Sequence, residues 1–503
     1  MAERSKAHDW KSCRVNSPPG FESLPFRHFL NVTRSAIPPR SALVLAACAL
    51  LVLAFAPAQY FARQQDDALF LIGARALTSG RFCVLTSPGC PALISVDPGW
   101  SLLLTPLALF TDRPGPFQAL SAFLLCLAPA ALWFWLRRRT DETTALLGAA
   151  LFASCPLVLE QSGTVMSETP YVLVLLAVLC ASESGDAAWT GGLSAALLLL
   201  RTAGLGALPG LMIPFARRRR ARDQAAAVIP PALAAAGWWA WCLGKTGAVG
   251  KFQLLPSTYG QVLMKPFTVA AANIPYYLRE CGGCFLPPSL TSGTAALILG
   301  GALAIFAARG LFLLIRRRRD DPAAWSLIGS ALLLMVWGWQ YERYLLPLLP
   351  LLLLALSSGL GRAAKPALGI LLALQLGAQT LPRLGKPSVW AEPELARTYA
   401  WLAARPRPAL LVSAEPVRDG WLSGMPSAAL PLAPSADEFA TALKLGRADY
   451  VLRVEGLDYG LEADPDARLR RGLETAYRRL DDGRLFRKLH EEPAERAVIY
   501  APR

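Results

Sequence analysis

The sequence predicts a polytopic α-helical membrane protein of about 11 crossings that carries a small α/β domain on its outer face. Three observations predict it. Only 17% of the 503 residues are charged, against about 25% in an ordinary soluble domain. Apolar runs approaching or reaching bilayer length recur from Ser41 to Leu381. From Ala391 onward the composition changes, and that last stretch holds half of the chain's 36 acidic residues.

The formal charge of +15 would suit a nucleic-acid binder, but its placement argues against one. Arg137–Arg139, Arg217–Arg220 and Arg316–Arg319 flank apolar runs, the pattern of basic residues retained on the cytoplasmic side. No zinc spacing, Walker loop or dinucleotide fingerprint occurs, and no short-period repeat is evident.

In chain order, residues 1–40 are polar, basic and rich in Ser and Pro, and read as a disordered cytoplasmic tail. A membrane domain follows over 41–390, with outer loops expected at 59–116 and 244–293. Ser41 to Ala58 crosses outward. Gly99 to Phe110 is apolar but short, and reads as an interfacial or re-entrant helix. Phe117 to Leu136 returns to the first arginine cluster. Thr144 to Leu159 goes out, Glu168 marks an outer turn, and Thr169 to Ala181 comes back. Ala187 to Leu200 and Gly204 to Ala216 form a short pair with Arg201 and Thr202 at the apex. Ala225 to Leu243 leads to the second outer loop. Thr294 to Ile315, Ala323 to Trp339, Leu345 to Ser358 and Pro366 to Leu381 complete the series. The N-terminus then lies inside, and residues 391–503 lie outside as an α/β domain on the inner (plasma) membrane. In that domain "ALLVS", "ADYVLRV" and "RAVIYA" read as strands, and Asp437–Leu445 and Ala467–Leu480 as amphipathic helices.

Cys83 and Cys90 share the first outer loop, where the turn around Ser87-Pro88-Gly89 is expected to bring them together as a disulfide. Cys281-Gly282-Gly283-Cys284 has no βαβ context, so a structural bridge or free thiols outweigh a redox-active CxxC.

Charged residues gather at the outer mouths of the spans. Asp66 and Asp67 open "DDALFLIGARALTSG", where Asp66, Phe70, Gly73 and Leu77 share one helical face. "DPGWSLLLTPLALF", "SETP" with Glu168, "LLLLRTAGLG" with Arg201, and "YERYLLPLLP" with Arg343 and Tyr344 follow in order. Each has a bland reading. The aspartates would be a solvated helix start, Arg201 a snorkelling residue, Glu168 a cap, and Arg343 the partner of Glu342. Lys251, Lys265 and Arg279, in the second outer loop, either meet an anionic ligand or solvate the loop.

This ordered series resembles the GT-C glycosyltransferases, in particular bacterial relatives of protein O-mannosyltransferases and of the lipid A aminoarabinose transferase. An acidic pair in the first outer loop, then an aromatic and "A..L..G", is matched by Asp66-Asp67, Phe70, Ala74, Leu77 and Gly80. Pro98-Gly99, Ser167-Glu168, Arg201 and Arg343 to Pro350 match the rest. Phe70 stands where Tyr is common, and Asp67 where Glu is frequent. The resemblance implies a polyprenyl-phosphate sugar donor, a hydroxyl acceptor (protein, lipid or polysaccharide), inverting transfer and no required metal. It implies Asp66 as general base with Asp67 beside it, Arg201 and Arg343 on the donor phosphate, and Glu168 and Tyr344 as further site residues; Lys265 is a further candidate from its place in the second outer loop. The chemistry agrees, because transfer from a phosphate leaving group needs a base at the acceptor oxygen and cations at the phosphate. The alternative is a transporter or flippase of lipid-linked saccharides, which would also use intramembrane charge. A non-enzymatic assembly scaffold, its outer tail binding partners, is a third class.

Overall fold

The computed structural model describes residues 37–56, 61, 65–217, 220–245, 266–384, 395–431, 435–455, 461–462 and 468–503. Arg40–Arg503 forms one compact unit that holds the sheet, the cleft and the helices, and the N-terminal tail expected over residues 1–40 lies almost wholly outside the described residues.

The helical part begins with α1 (Pro39–Phe55), α2 (Gln65–Leu77), α3 (Pro98–Ala108), α4 (Pro114–Leu136) and α5 (Glu142–Ser154). It continues with α6 (Pro156–Gln161), α7 (Glu168–Ser184), α8 (Ala187–Leu200), α9 (Gly204–Ala216) and α10 (Ala221–Gly244). Then come α11 (Pro266–Gly283), α12 (Thr294–Arg317), α13 (Pro322–Met335), a 3-10 helix at Glu342–Leu348, α14 (Leu349–Leu360) and α15 (Ala364–Gln375). Among the described residues, α4, α10, α12 and the run Glu342–Arg383 are long and apolar enough to cross a bilayer; α1, α8, α9 and α13 are shorter apolar helices.

Three expectations change. The run Thr144–Leu159 is not one helix. Pro156 lacks the amide that would continue the ladder, so α5 stops at Ser154 and α6 starts afresh. The run Ala323–Trp339 ends at Met335, because the buried Asn273 amide lies 3.1, 2.9 and 2.8 Å from the carbonyls of Leu334, Met335 and Trp337. The stretch 244–293 is not loop throughout, since α11 occupies its second half and buries Val269, Asn273 and Tyr277.

The arginine clusters do more than mark a side. Arg139, half-buried, bridges Glu183, at 2.6 Å, and Asp321, at 3.0 Å. Trp135 Nε1 also donates to Glu183, at 2.7 Å. This network joins the ends of α4 and α7 to the start of α13, at the end of the bundle away from Asp66.

The C-terminal region contains α16 (Ala396–Ala403), α17 (Pro416–Ser423), α18 (Ala436–Leu445) and α19 (Arg468–Leu480). Its five-stranded sheet has the order β3 (Ser427–Ala429), β2 (Leu411–Ser413), β4 (Tyr450–Val454), β7 (Ala497–Pro502), β6 (Phe486–Glu492). β2 runs parallel to β3 and β4, and β7 antiparallel to β4 and β6. Phe439, Leu443, Leu473, Ala476 and Leu480 cover one face of the sheet. Leu395, Tyr399 and Leu402 cover the other.

Three contacts join this region to the helices. Strand β1 (Trp339–Gln340), just before the 3-10 helix, pairs antiparallel with β5 (Leu461–Glu462). Ser427 N donates to the Thr86 carbonyl at 2.7 Å, in the loop closed by the Cys83–Cys90 disulfide. Val417 on α17 joins the main hydrophobic core, with Trp421 and Leu422 packed against it.

Candidate active site

The cleft is built where several helix ends meet. The first turn of α2 carries Asp66 and Asp67, whose charges favour a helix N-terminus. Successive helical positions point about 100° apart. Asp66 lines the cleft, whereas Asp67 is fully buried and does not. Phe70, one turn on, lines the cleft beside Asp66.

α3 must lie tightly against the end of α8, and the Pro98-Gly99 pair permits this. Pro98 takes the first helical position, where no amide is needed. A Cβ on Gly99 would fall 2.6 Å from the Leu199 carbonyl, so only glycine permits the approach. Asp97, just before them, accepts from Thr202 N at 2.6 Å, Thr202 Oγ1 at 2.9 Å and Trp238 Nε1 at 3.0 Å. This carboxylate fixes the α8–α9 apex, and with it Arg201.

The charged residues then form an alternating chain. Arg343 Nη2 donates to Asp66 at 2.8 Å, and its Nε lies 3.7 Å from Glu168 Oε1. Arg201 Nη1 meets the same Glu168 oxygen at 2.6 Å and donates to Ser167 Oγ at 3.2 Å. Glu168 is fully buried and shared between two guanidinium groups. Its partners are side chains, so the capping role expected of a simple "SETP" turn is not the one observed. Arg343 likewise pairs with Asp66 in place of its neighbour Glu342. The Arg343 guanidinium lies 4.7 Å from the Tyr341 ring centre and 5.6 Å from that of Tyr344, and Arg201 stands 5.6 Å from Tyr344.

The two arginines therefore differ. Arg201 lines the cleft with a side chain 17% exposed, while Arg343 is 7% exposed and lies behind Asp66. The cleft, about 160 Å³, is polar at Asp66, Asp97, Ser167, Arg201 and Thr202, and apolar toward Leu333, Trp337 and Leu348. A lining of mixed polarity suits a ligand that has both a charged or hydroxylated head and an apolar part. The structure thus brings together Asp66, Glu168, Arg201, Arg343 and Tyr344. Lys265 lies outside the described residues. Among those described, no group of metal-ligating side chains converges.

Sequence reasoning passed over Asp97 as a site residue, along with Trp238 and Glu415. Glu415 precedes α17 and lies within electrostatic reach of Asp66. Burial pushes its carboxyl up to about 7, opposed by Arg418 and reinforced by Asp419 and Asp66. Its Oε2 has no hydrogen-bond partner among the described residues. Only the signal "DPG" ahead of an apolar helix could have flagged Asp97.

No family model matches the chain, and no curated protein does. Solved structures do match. ArnT from Cupriavidus metallidurans in the apo state aligns over 92% of this chain and 97% of its own, at 13% identity and a TM-score of 0.56. The same protein bound to undecaprenyl phosphate aligns over 93% and 98%, at 12% identity and 0.54. The oligosaccharyltransferase AglB from Archaeoglobus fulgidus, in complex with an inhibitory peptide and a dolichol-phosphate, aligns over 83% and 69%, at 13% and 0.51. These neighbours are GT-C glycosyltransferases, so the chain has the GT-C fold. The resemblance read from the motif series is met at the level of fold.

Proposed function

We propose that this protein is an integral-membrane glycosyltransferase. It moves a sugar from a polyprenyl-phosphate-linked donor to a hydroxyl acceptor on the outer face of the membrane. The observation that carries this reading is the chain Asp66–Arg343–Glu168–Arg201, whose terminal members Asp66 and Arg201 line one cleft of mixed polar and apolar character. The similarity in fold to a protein solved with undecaprenyl phosphate, and to one solved with dolichol-phosphate, supports the lipid-phosphate donor.

In this reading Arg201 meets the donor phosphate, because it lines the cleft and its guanidinium has further N–H groups beyond those on Glu168 and Ser167. Asp66 takes the proton of the acceptor hydroxyl as that oxygen attacks the sugar's anomeric carbon. The bond from that carbon to the phosphate oxygen breaks, polyprenyl phosphate leaves, and the configuration inverts. Arg343 holds the Asp66 carboxylate in place, Tyr344 flanks both cations, and Glu168 spaces them. Asp67 supports the first turn from inside.

The arginine clusters support a cytoplasmic N-terminus, about 11 crossings, and a C-terminal α/β domain outside the inner membrane. That region is joined to the helical part through β5 on β1 and through Val417 of α17 in the main core.

The test is purified protein in lipid nanodiscs with a panel of labelled polyprenyl-phosphate sugars and membrane extract as acceptor. Transfer of label to acceptor, or slow release to water, is expected. Label that stays on the lipid but changes leaflet in proteoliposomes would identify a flippase instead.

A further inference from the structure

At the same end of the bundle as the cleft, three cysteines from two distant segments meet. Cys155 sits between α5 and α6, and Cys281 and Cys284 stand at the end of α11. The sulfurs of Cys155 and Cys284 are 3.8 Å apart, although 129 positions separate the residues. Both residues are buried, whereas Cys281 is half-buried and within electrostatic reach of both.

The glycines between Cys281 and Cys284 have a separate explanation. A Cβ on Gly282 would fall 2.0 Å from the Ala296 carbonyl, so this glycine lets α11 lie against α12. The sequence "CGGC" therefore does not itself argue for a redox loop, and the thiol geometry has to be judged alone. Cys155 leads through α6 toward Glu168, on the face that also carries the Cys83–Cys90 disulfide. On the topology proposed above, the Cys83–Cys90 loop and the end of α11 both lie on the outer side.

We infer that Cys155 and Cys284 are a second disulfide site, with Cys281 as the thiol through which oxidation enters. The two sulfurs, 3.8 Å apart, are already in van der Waals contact, and a bond would bring them to about 2.05 Å. The oxidant is the disulfide of an external thiol oxidoreductase. The Cys281 thiolate attacks it, forming a mixed disulfide and releasing one external thiolate. Cys284 displaces the remaining external sulfur, giving a Cys281–Cys284 bond. Cys155 then attacks the Cys284 sulfur, and Cys281 leaves as a thiolate and regains a proton. In total two cysteine thiols lose two electrons and two protons, and the external disulfide becomes a dithiol.

The bond would lock a strut. Besides the Asn273 contacts to α13, α11 places Tyr277 Oη 3.4 Å from the Trp339 carbonyl and Tyr276 Oη 3.5 Å from Glu342. Tying α11 to the α5–α6 corner would hold the segment that carries Arg343 and Tyr344.

The test needs no activity. Full-length protein is expressed in a host whose cell surface is oxidising, trapped with an alkylating reagent during denaturation, and digested without reduction. The expected product joins the Cys155 and Cys284 peptides and leaves Cys281 alkylated. After reduction, re-oxidation by oxidised glutathione should restore that link, and more slowly in Cys281→Ser. In Cys155→Ser the link should move to Cys281–Cys284. Cys155 and Cys284 both alkylated, before and after glutathione, would overturn the site. A wild-type Cys281–Cys284 link with Cys155 alkylated would overturn it equally. Re-oxidation of Cys281→Ser at the wild-type rate would remove Cys281 from the route.

Discussion

Replacing Asp66 by Asn separates the two jobs its position suggests. The amide keeps the size of the side chain and can still accept from Arg343, but it cannot take a proton. Loss of a positioned base costs about 10²–10⁴-fold in rate, which is about 3–5 kcal/mol of transition-state stabilisation at 1.36 kcal/mol per decade. Ground-state binding should move the other way. Asp66, Arg343, Glu168 and Arg201 together carry no net charge, and Asp66→Asn leaves them with one positive charge. A phosphate bound beside Arg201 then loses one repulsive neighbour. For charges roughly 8–16 Å apart at an effective dielectric near 20, that is on the order of 1–2 kcal/mol, about 5- to 30-fold tighter binding. The assay pairs transfer rate at saturating donor with equilibrium binding of polyprenyl phosphate, both on purified Asp66→Asn. The expected result is a collapse in turnover with lipid-phosphate affinity equal to or above wild type. Wild-type turnover would refute the assignment and direct attention to Glu415. A parallel loss of affinity would refute the electrostatic reasoning.

Glu168→Gln removes the anion shared by two arginines. Breaking a buried pair costs about 3–5 kcal/mol, so a clear fall in thermal midpoint is expected, and an unchanged midpoint would show the pairing to be dispensable. Glu415 titrates in the folded protein at about 7, above the ordinary glutamate value of 4.5, so the folded state holds the extra proton between those values. Its stabilising contribution is present below pH 4.5 and lost as pH rises through 7. Glu415→Gln should therefore raise the melting temperature at pH 8 by a few degrees and leave it unchanged at pH 4.5, measured by thermal unfolding in detergent. Gly99→Ala should cost about 1–3 kcal/mol through the clash with Leu199, read as a lowered midpoint. Alkaline phosphatase fused after Arg503 should be active, and after Arg319 inactive; the reverse pattern would invert the proposed topology.

What was legible in the sequence was what repeats or alternates. Ala187–Leu200 and Gly204–Ala216 were readable to the residue, because two mostly apolar runs lie between Asp186, the Arg201-Thr202 break and Arg217. The strands at Leu411, Tyr450 and Ala497 stood out as β-branched and aromatic runs. Strand β6 did not, since "FRKLHEE" buries only Phe486 at a sheet edge and carries charge in place of alternation. The ends of α5 and α13 were misplaced for different reasons. Pro156 offers a local signal that hydropathy averaging hides. The stop at Met335 is set by Asn273, whose side chain arrives from another helix and leaves no local trace. The site divides the same way. Asp66, Glu168, Arg201 and Arg343 are conspicuous as charge in apolar surroundings. Asp97 is equally charged, but "DPG" reads as a turn until Thr202 and Trp238 are seen to converge on it.

The C-terminal region bears on the chemistry and not only on the architecture. Strand β5 pairs with β1, which ends at Gln340, three residues before Arg343. Helix α17 sets Val417 into the main core and brings Glu415 within electrostatic reach of Asp66. Thr86, between the two bridged cysteines, is tied to Ser427 on β3. The flanks of both partners of the Asp66–Arg343 pair are thus gripped from the sheet side. Truncation at Ala391 should therefore remove turnover without removing the membrane helices. A truncated protein that still inserts, and still binds polyprenyl phosphate at Arg201, would put donor recognition in the helices and alignment of the base in the C-terminal region. If the truncated protein turns over at the wild-type rate, the grip on β1 and α2 has no part in positioning Asp66.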